Sequence, residues 1–286
     1  MKNNSLILVC VGLLLVFLPN KIQDITAAFG ILSVGILHGA NDLSIIKQLF
    51  NQSSRKVNRN FIRYLAVVFG GILLFYFLPT LALPVFVVVS SYHFGEQHFE
   101  KHNFRYVKQT SVSLYGGLIF SLIFLTHIDE TIDIIDIIVG QRLPELFLWI
   151  GFTICFTGTI ISLWVNLSAQ EFWRELLLLG GLALFFFKAS LLLAFGFYFC
   201  LFHAFPSLRS QLKFLFNEVS WQALQKYIRH SLAYWILALV GLGGVYSFVE
   251  WDLTSILPLF FIFLASITFP HVVVMGFLFR ELETKK

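Results

Sequence analysis

The sequence consists largely of apolar runs of about 15 to 22 residues, the length at which an α-helix crosses a bilayer core of about 30 Å. Hydrophobic residues make up 58% of the 286 positions, and charged residues make up only 13%. No stretch between the runs is long enough to fold as a separate soluble domain. We therefore predict an all-α fold, a polytopic helix bundle in a lipid bilayer, with residues 1–286 forming a single domain.

The apolar runs predict about ten transmembrane helices. These helices are expected at residues 5–19, 25–46, 61–78, 80–97, 111–127, 145–165, 174–187, 189–205, 231–249 and 255–279. The seventh and eighth are kept separate, because joining them would carry the basic loop 206–230 to the opposite face of the membrane.

The distribution of basic residues predicts the orientation of the chain. Of the 20 Lys and Arg residues, only Lys21, Arg142 and Lys188 fall on the outer side in this arrangement. Because cytoplasmic loops are rich in Lys and Arg, we expect both termini in the cytoplasm and a multi-pass protein of the inner (cytoplasmic) membrane. The basic loop 47–60 is then a topology determinant rather than a nucleic-acid site, and segment 128–145 is expected as an acidic outer loop.

Four of the eight histidines are predicted to lie at one depth in the membrane. Each comes six to nine residues before the first basic residue of the cytoplasmic border, which at a rise of about 1.5 Å per residue places it roughly 9 to 14 Å inside. These four are His38, His93, His203 and His271. Buried imidazoles are usually hydrogen-bonded or metal-bound, and neutral imidazole suits iron, copper, nickel and zinc. Two alternatives explain this layer: a shared metal site, or separate hydrogen bonds from each histidine to a neighbouring helix.

The remaining histidines are predicted to lie outside this layer. They are His98, His102, His127 and His230. Their positions near the ends of the predicted helices suggest solvated or interfacial side chains.

Two carboxylates follow the first two histidines of the layer at helical spacing. Asp42 comes four residues after His38, and Glu96 comes three residues after His93, so each is expected on the face of its histidine. A metal held by neutral nitrogens keeps its charge, and carboxylates commonly hold the second N–H of such ligands. Interfacial acids at the inner helix ends are the alternative interpretation.

Four short segments resemble the histidine motifs of the Brp/Blh family of membrane β-carotene 15,15′-dioxygenases. They are residues 38–42 (His-Gly-Ala-Asn-Asp), 92–96 (Tyr-His-Phe-Gly-Glu), 198–203 and 270–271 (Pro-His). The resemblance covers almost the whole chain, and the first two motifs are the most specific. His98 stands where the family pattern has an aspartate.

The resemblance implies a non-haem iron(II) enzyme that uses O2 to split the central double bond of β-carotene into two molecules of retinal. It implies iron ligation by His38, His93, His203 and His271. Asp42 and Glu96 are expected from their spacing to hydrogen-bond these ligands, and no catalytic side chain is expected beyond the ligands. A retinal-binding rhodopsin is a candidate acceptor of the product. The residues that line the substrate are not identified.

Two other functions fit part of the pattern. A di-iron hydroxylase or desaturase could use the cluster His93, His98 and His102, although such centres need several dense histidine boxes and the sequence has this one. A transporter could use intramembrane His, Asp and Glu residues as a path for protons or metal ions. Iron content distinguishes the dioxygenase from the di-iron enzyme, since one iron per chain fits the former and two fit the latter.

Overall fold

The computed structural model describes residues 2–51, 54–100, 102, 104–247 and 253–284. Within these ranges the chain is helical and contains no β-strand. The α-helices are α1 (Lys2–Gly12), α2 (Asn20–Gly30), α3 (Asp42–Leu49), α4 (Ser54–Phe77), α5 (Pro79–His98), α6 (Lys108–Thr126), α7 (Ile128–Val139), α8 (Glu145–Asn166), α9 (Ala169–Lys188), α10 (Leu191–Phe197), α11 (Phe205–Phe216), α12 (Trp221–Ser247) and α13 (Leu253–Thr284). A 3-10 turn covers Leu15–Phe17, and π-helical segments cover Ile31–Gly35 and Tyr198–Ala204.

Several segments of the described chain are long and apolar enough to cross a membrane. By length and composition there are five: Arg59–Phe77, Lys108–Thr126, Glu145–Asn166, Leu191–Phe216 and Leu257–Thr284. They agree with the predicted all-helical fold and are compatible with a membrane protein. The number of about ten spans, the cytoplasmic termini and the choice of membrane stay predictions. Of the basic residues behind that orientation, Lys101, Lys285 and Lys286 lie outside the described residues.

The helix predicted at 25–46 is interrupted in the structure. After the π-helical segment Ile31–Gly35 the chain turns at residues 38–41, and a new helix begins at Asp42. The amide of Asp42 donates to the carbonyl of Gly39 at 3.2 Å instead of continuing the helical ladder to His38. The sequence contains the breakers for this turn, since Gly39, Asn41 and Asp42 favour turns and helix starts over helix interiors.

The segment predicted as an acidic outer loop forms helix α7. Isoleucines recur along the acidic sequence, and Ile132 is buried at 2% exposure, so the segment is amphipathic. Gly140, with a φ of 74°, follows the last helical residue and supplies the left-handed conformation that ends many helices. The prediction of a loop was wrong because charge was weighed above the spacing of the isoleucines.

The predicted separation of helices 174–187 and 189–205 is confirmed. Ala189 is extended (φ −81°, ψ 163°), and Ser190 begins α10 by accepting a hydrogen bond from the amide of Leu193 at 3.3 Å. The hydroxyl of Ser190 also donates to Asp24 at 2.6 Å. The helical run that follows continues through the π-helical segment into α11, and so ends later than predicted.

Helix contacts divide the chain into two compact units. The first unit comprises residues up to 31, 90–136 and 141–204. In it α6 packs against α8 and α9, and α10 packs against α2. The C-terminal part of α5 meets α6 at backbone distance, because a Cβ at Gly95 would overlap the carbonyl of Val112 and one at Gly116 would overlap the carbonyl of Ser91. Such glycine contacts are typical of helices that pack in membranes.

The second unit comprises residues 32–89, 137–140 and those from 205 onward. Helix α13 packs against α4, α3 and α12, and α11 packs against α3 and α12. Gly71 of α4 allows close approach, since a Cβ there would lie 3.2 Å from the Cα of Ser266. Part of the core of this unit is a cluster around Ile45, Phe214 and Met275.

Candidate metal centre

Two of the four predicted histidines, His38 and His271, meet inside the second unit. His38 lies on the turn after the first π-helical segment, and His271 lies in α13 directly after Pro270. Their side chains are 4% and 5% exposed, and the ring centroids are 4.8 Å apart at an interplanar angle of 87°. One ligand nitrogen of each ring lies within 4.8 Å of the other. The two imidazoles are therefore close enough to bind the same ion.

Hydrogen bonds fix which nitrogen of each ring carries the proton. Nδ1 of His38 donates to the carbonyl of Gly35, and Nδ1 of His271 lies 2.9 and 3.0 Å from the two carboxylate oxygens of Asp42. A carbonyl or a carboxylate only accepts, so each Nδ1 is protonated. In the neutral imidazole the lone pair is then on Nε2, which is the arrangement found in histidines that bind metals.

Asp42 is buried and bonded from two sides. It is 2% exposed, and besides His271 it accepts a hydrogen bond from the hydroxyl of Tyr64 in α4 at 2.8 Å. The sequence paired Asp42 with His38 on one helical face. The structure gives it His271 instead, because the break at residues 38–41 removes the helical geometry on which that pairing depended.

The other two predicted histidines meet inside the first unit. His93 of α5 and His203 of the second π-helical segment are each 1% exposed. Their ring centroids are 4.6 Å apart at 74°. Phe94 stacks on His203 at 4.6 Å and 25°, and Phe199 lies nearly parallel to the same ring at 5.6 Å. These phenylalanines restrict the orientation that the imidazole of His203 can take.

Glu96 is buried at 8% exposure and accepts a hydrogen bond from the hydroxyl of Tyr92 at 2.6 Å. Tyr92 lies one turn earlier on the same helix. This bond orients one carboxylate oxygen of Glu96. The role of Glu96 toward His93 stays a prediction.

His98 was expected to be interfacial, but it is part of a buried polar group. Its Nε2 lies 3.1 Å from Oε2 of Glu175, and the two side chains are 11% and 12% exposed. The ring stacks on Tyr115 at 4.5 Å, and the hydroxyl of Tyr115 donates to the same Glu175 oxygen at 3.3 Å. His98 thus links α5 to α9, and the expectation of a solvated side chain was wrong.

His127 is likewise engaged rather than solvated. Nε2 donates to the carbonyl of Ala189 at 2.9 Å, at the break between α9 and α10.

In the second unit, the buried imidazoles of His38 and His271 provide two nitrogen donors that could hold a metal ion. Neutral nitrogens without a thiolate among them match iron, copper, nickel or zinc, and the carboxylate behind His271 supplies negative charge. Within the described residues, His98 and His102 belong to no group of three close ligand side chains. The donors on His38 and His271 therefore fit the group of metals that the histidine layer indicates, which is iron, copper, nickel or zinc.

A family model described as β-carotene 15,15′-dioxygenase matches residues 29–279, a range that includes all four histidines, Asp42 and Glu96. The chain belongs to this family. The predicted Brp/Blh-type resemblance is thereby confirmed.

A curated relative is the β-carotene 15,15′-dioxygenase of the uncultured marine bacterium 66A03. It is 24% identical over 259 residues, which cover 86% of this chain and 90% of the relative. No solved structure matches the chain. Together the family and this relative indicate an oxidoreductase of the dioxygenase class that acts on carotenoids.

Proposed function

We propose that this chain uses O2 to cleave the 15,15′ double bond of β-carotene, giving two molecules of all-trans-retinal. The family match supports the reaction. The observation that carries the proposal is the pair His38 and His271, two buried imidazoles whose Nδ1 atoms are both held by acceptors so that Nε2 can bind a metal. One C=C bond is broken, and each of its carbons takes one oxygen atom of the same O2 molecule.

We propose iron(II) as the metal, with His38, His93, His203 and His271 as its four ligands. The common depth that the sequence assigns to these histidines supports this set. An iron(II) ion supplies the activation of O2 that an unactivated alkene requires, provided that one coordination position is open. Asp42, which holds Nδ1 of His271, places a negative charge behind one of four neutral ligands.

The substrate is a long neutral hydrocarbon and requires apolar surroundings rather than a charged pocket. Side chains near His203 have this character, since Phe94 and Phe199 flank its ring and Phe195 stacks on Phe199. We propose that the protein is a multi-pass protein of the cytoplasmic membrane with about ten spans. Carotenoid would then enter from lipid, and retinal released into the bilayer would reach a retinal-binding rhodopsin.

Incubation of the purified, detergent-solubilised protein with β-carotene and O2, followed by chromatography of the products, tests the proposal directly. We expect retinal as the product and about one iron per chain, since the four ligands form a mononuclear site. Folded, iron-loaded protein that forms no retinal would show that the proposed function is wrong.

Single alanine substitutions test the ligand set. His38→Ala, His93→Ala, His203→Ala and His271→Ala are each expected to abolish cleavage and lower bound iron. His230→Ala, at an exposed position near the start of α12, is the matched control and should change neither. Wild-type turnover by His203→Ala would reduce the ligand set to three.

A further inference from the structure

The carbonyl of His38 receives hydrogen bonds from two other helices. Nε2 of Gln211 in α11 donates to it at 2.9 Å, and the hydroxyl of Tyr227 in α12 lies at the same distance. Gln211 and Tyr227 are both 0% exposed. These contacts involve the backbone of His38 and leave its imidazole to other partners.

The helix break creates the need for these donors. In an uninterrupted helix the carbonyl of residue 38 would accept from the amide of residue 42. Here the amide of Asp42 donates to Gly39 instead, at 3.2 Å. A buried carbonyl requires a partner, and Gln211 and Tyr227 provide it.

The donor and the acceptor of each hydrogen bond among these side chains can be assigned. The single hydroxyl hydrogen of Tyr227 is shared between two acceptors, Oε1 of Gln211 at 2.7 Å and the carbonyl of His38 at 2.9 Å, in a three-centre hydrogen bond that also orients the amide. The opposite orientation of the amide would set two oxygens, that of Gln211 and that of His38, against each other. Nε2 of Gln211 therefore faces His38, and its second hydrogen faces the hydroxyl of Ser207 at 3.1 Å.

Helix α12 holds the same turn at a second point. Nδ2 of Asn41 donates to the backbone carbonyl of Tyr227 at 3.0 Å. Trp235, two turns further along α12, donates through Nε1 to the carbonyl of Leu32 at 2.8 Å. The segment that presents His38 is thus bonded to α12 at both of its ends.

We propose that Gln211 and Tyr227 are positioning residues that set the location of the His38 imidazole through its carbonyl. This rests on the proposed role of His38 as a metal ligand. Loss of either hydrogen bond lets the turn move and misplaces Nε2, although neither side chain touches the metal. A misplaced ligand weakens metal binding and slows cleavage, while the apolar substrate binds as before.

The test compares Tyr227→Phe and Gln211→Leu with Gln48→Leu. Gln48 also donates to a backbone carbonyl of α11, that of Phe214 at 2.8 Å, so its variant loses a similar bond in the same unit without touching the turn. For each protein we would measure the dissociation constant for Co(II), used as a spectroscopic probe, together with the melting temperature and the split between kcat and KM.

We expect Tyr227→Phe and Gln211→Leu to bind Co(II) about 10-fold more weakly, in the range found when groups behind metal ligands are removed. Their kcat should fall while KM for β-carotene stays within about twofold. Gln48→Leu should lose stability to a similar degree and keep the wild-type metal affinity. Tyr227→Phe deletes one oxygen and keeps the ring, so its Co(II) affinity still tests the proposal if Gln211→Leu does not fold.

Wild-type Co(II) affinity in folded Tyr227→Phe would overturn the positioning role. So would an equal loss of affinity in Gln48→Leu, since a general loss of stability would then be the cause. The readout is independent of retinal formation. Weakened metal binding in a protein that makes no retinal would keep the positioning role and reject the proposed function instead.

Discussion

Replacing Asp42 by asparagine tests the carboxylate that holds His271. The amide has one acceptor oxygen where the carboxylate has two, and the carboxylate now accepts from His271 and from the hydroxyl of Tyr64. A hydroxyl can turn and accept from the new NH2 group, so the amide oxygen stays on Nδ1 of His271. The substitution therefore removes the charge and keeps the geometry.

The expected loss of metal affinity follows from replacing a charged hydrogen-bond acceptor by a neutral one. Hydrogen bonds to charged groups contribute about 1.5–3 kcal/mol and neutral ones about 0.5–1.5 kcal/mol, so Asp42→Asn should cost about 1–2 kcal/mol. If the whole loss appears in metal binding, affinity falls about 5- to 30-fold. Tyr64→Phe adds a second perturbation, because without the hydroxyl the amide can turn its NH2 toward His271 and favour the wrong tautomer.

Metal titration of four proteins, the wild type, Asp42→Asn, Tyr64→Phe and the double variant, measures the coupling. We expect a coupling energy of about 0.5–3 kcal/mol, as for residues of one hydrogen-bond network. Effects that add within about 0.3–0.5 kcal/mol, or wild-type affinity in Asp42→Asn, would refute the reasoning.

Other perturbations address the packing and the metal. Gly116→Ala places a Cβ against the carbonyl of Ser91 and should prevent folding or lower the melting temperature strongly, whereas Gly151→Ala, which has open space, should leave that temperature unchanged. His98→Ala should lower stability by about 1–3 kcal/mol, because Glu175 loses a buried partner, and iron should stay near one per chain. A chelator should abolish retinal formation and lower the melting temperature, since an ion present at about 100 times its dissociation constant stabilises the fold by about 2.7 kcal/mol. Iron loss in His98→Ala, or full activity with chelator, would contradict these expectations.

The sequence predicts the parts of this protein that depend on local pattern. The apolar runs predict the helices, and the break before Ser190 follows from charge alone. Motif order predicts the family. The acidic helix α7 was missed because its charge suggested a loop, although the isoleucine spacing was present. The grouping of four histidines around one ion stays a prediction, since it rests on counting residues from a membrane border.

What the sequence could not predict depends on contacts between distant residues. The pairing of Asp42 with His271 joins positions 229 residues apart, and that of Gln211 with His38 joins positions 173 apart. Gln211 and Tyr227 also lay in a segment predicted to be a basic loop. No local periodicity encodes such partners, and without an alignment no covariation points to them.

Because the segment Tyr198–Ala204 is π-helical, the number of residues before His203 determines the direction in which its side chain points as well as its distance along the helix. A π-helical turn holds one residue more than the α-helical turn it replaces. Deleting one residue between Phe197 and His203 would restore an α-helical turn and rotate His203 by about 100° around the helix axis relative to α10. The imidazole of His203 would then leave Phe94 and Phe199 and point to another side of the helix. Among relatives of this chain, single-residue gaps between the Phe197 and His203 positions should therefore be far rarer than substitutions.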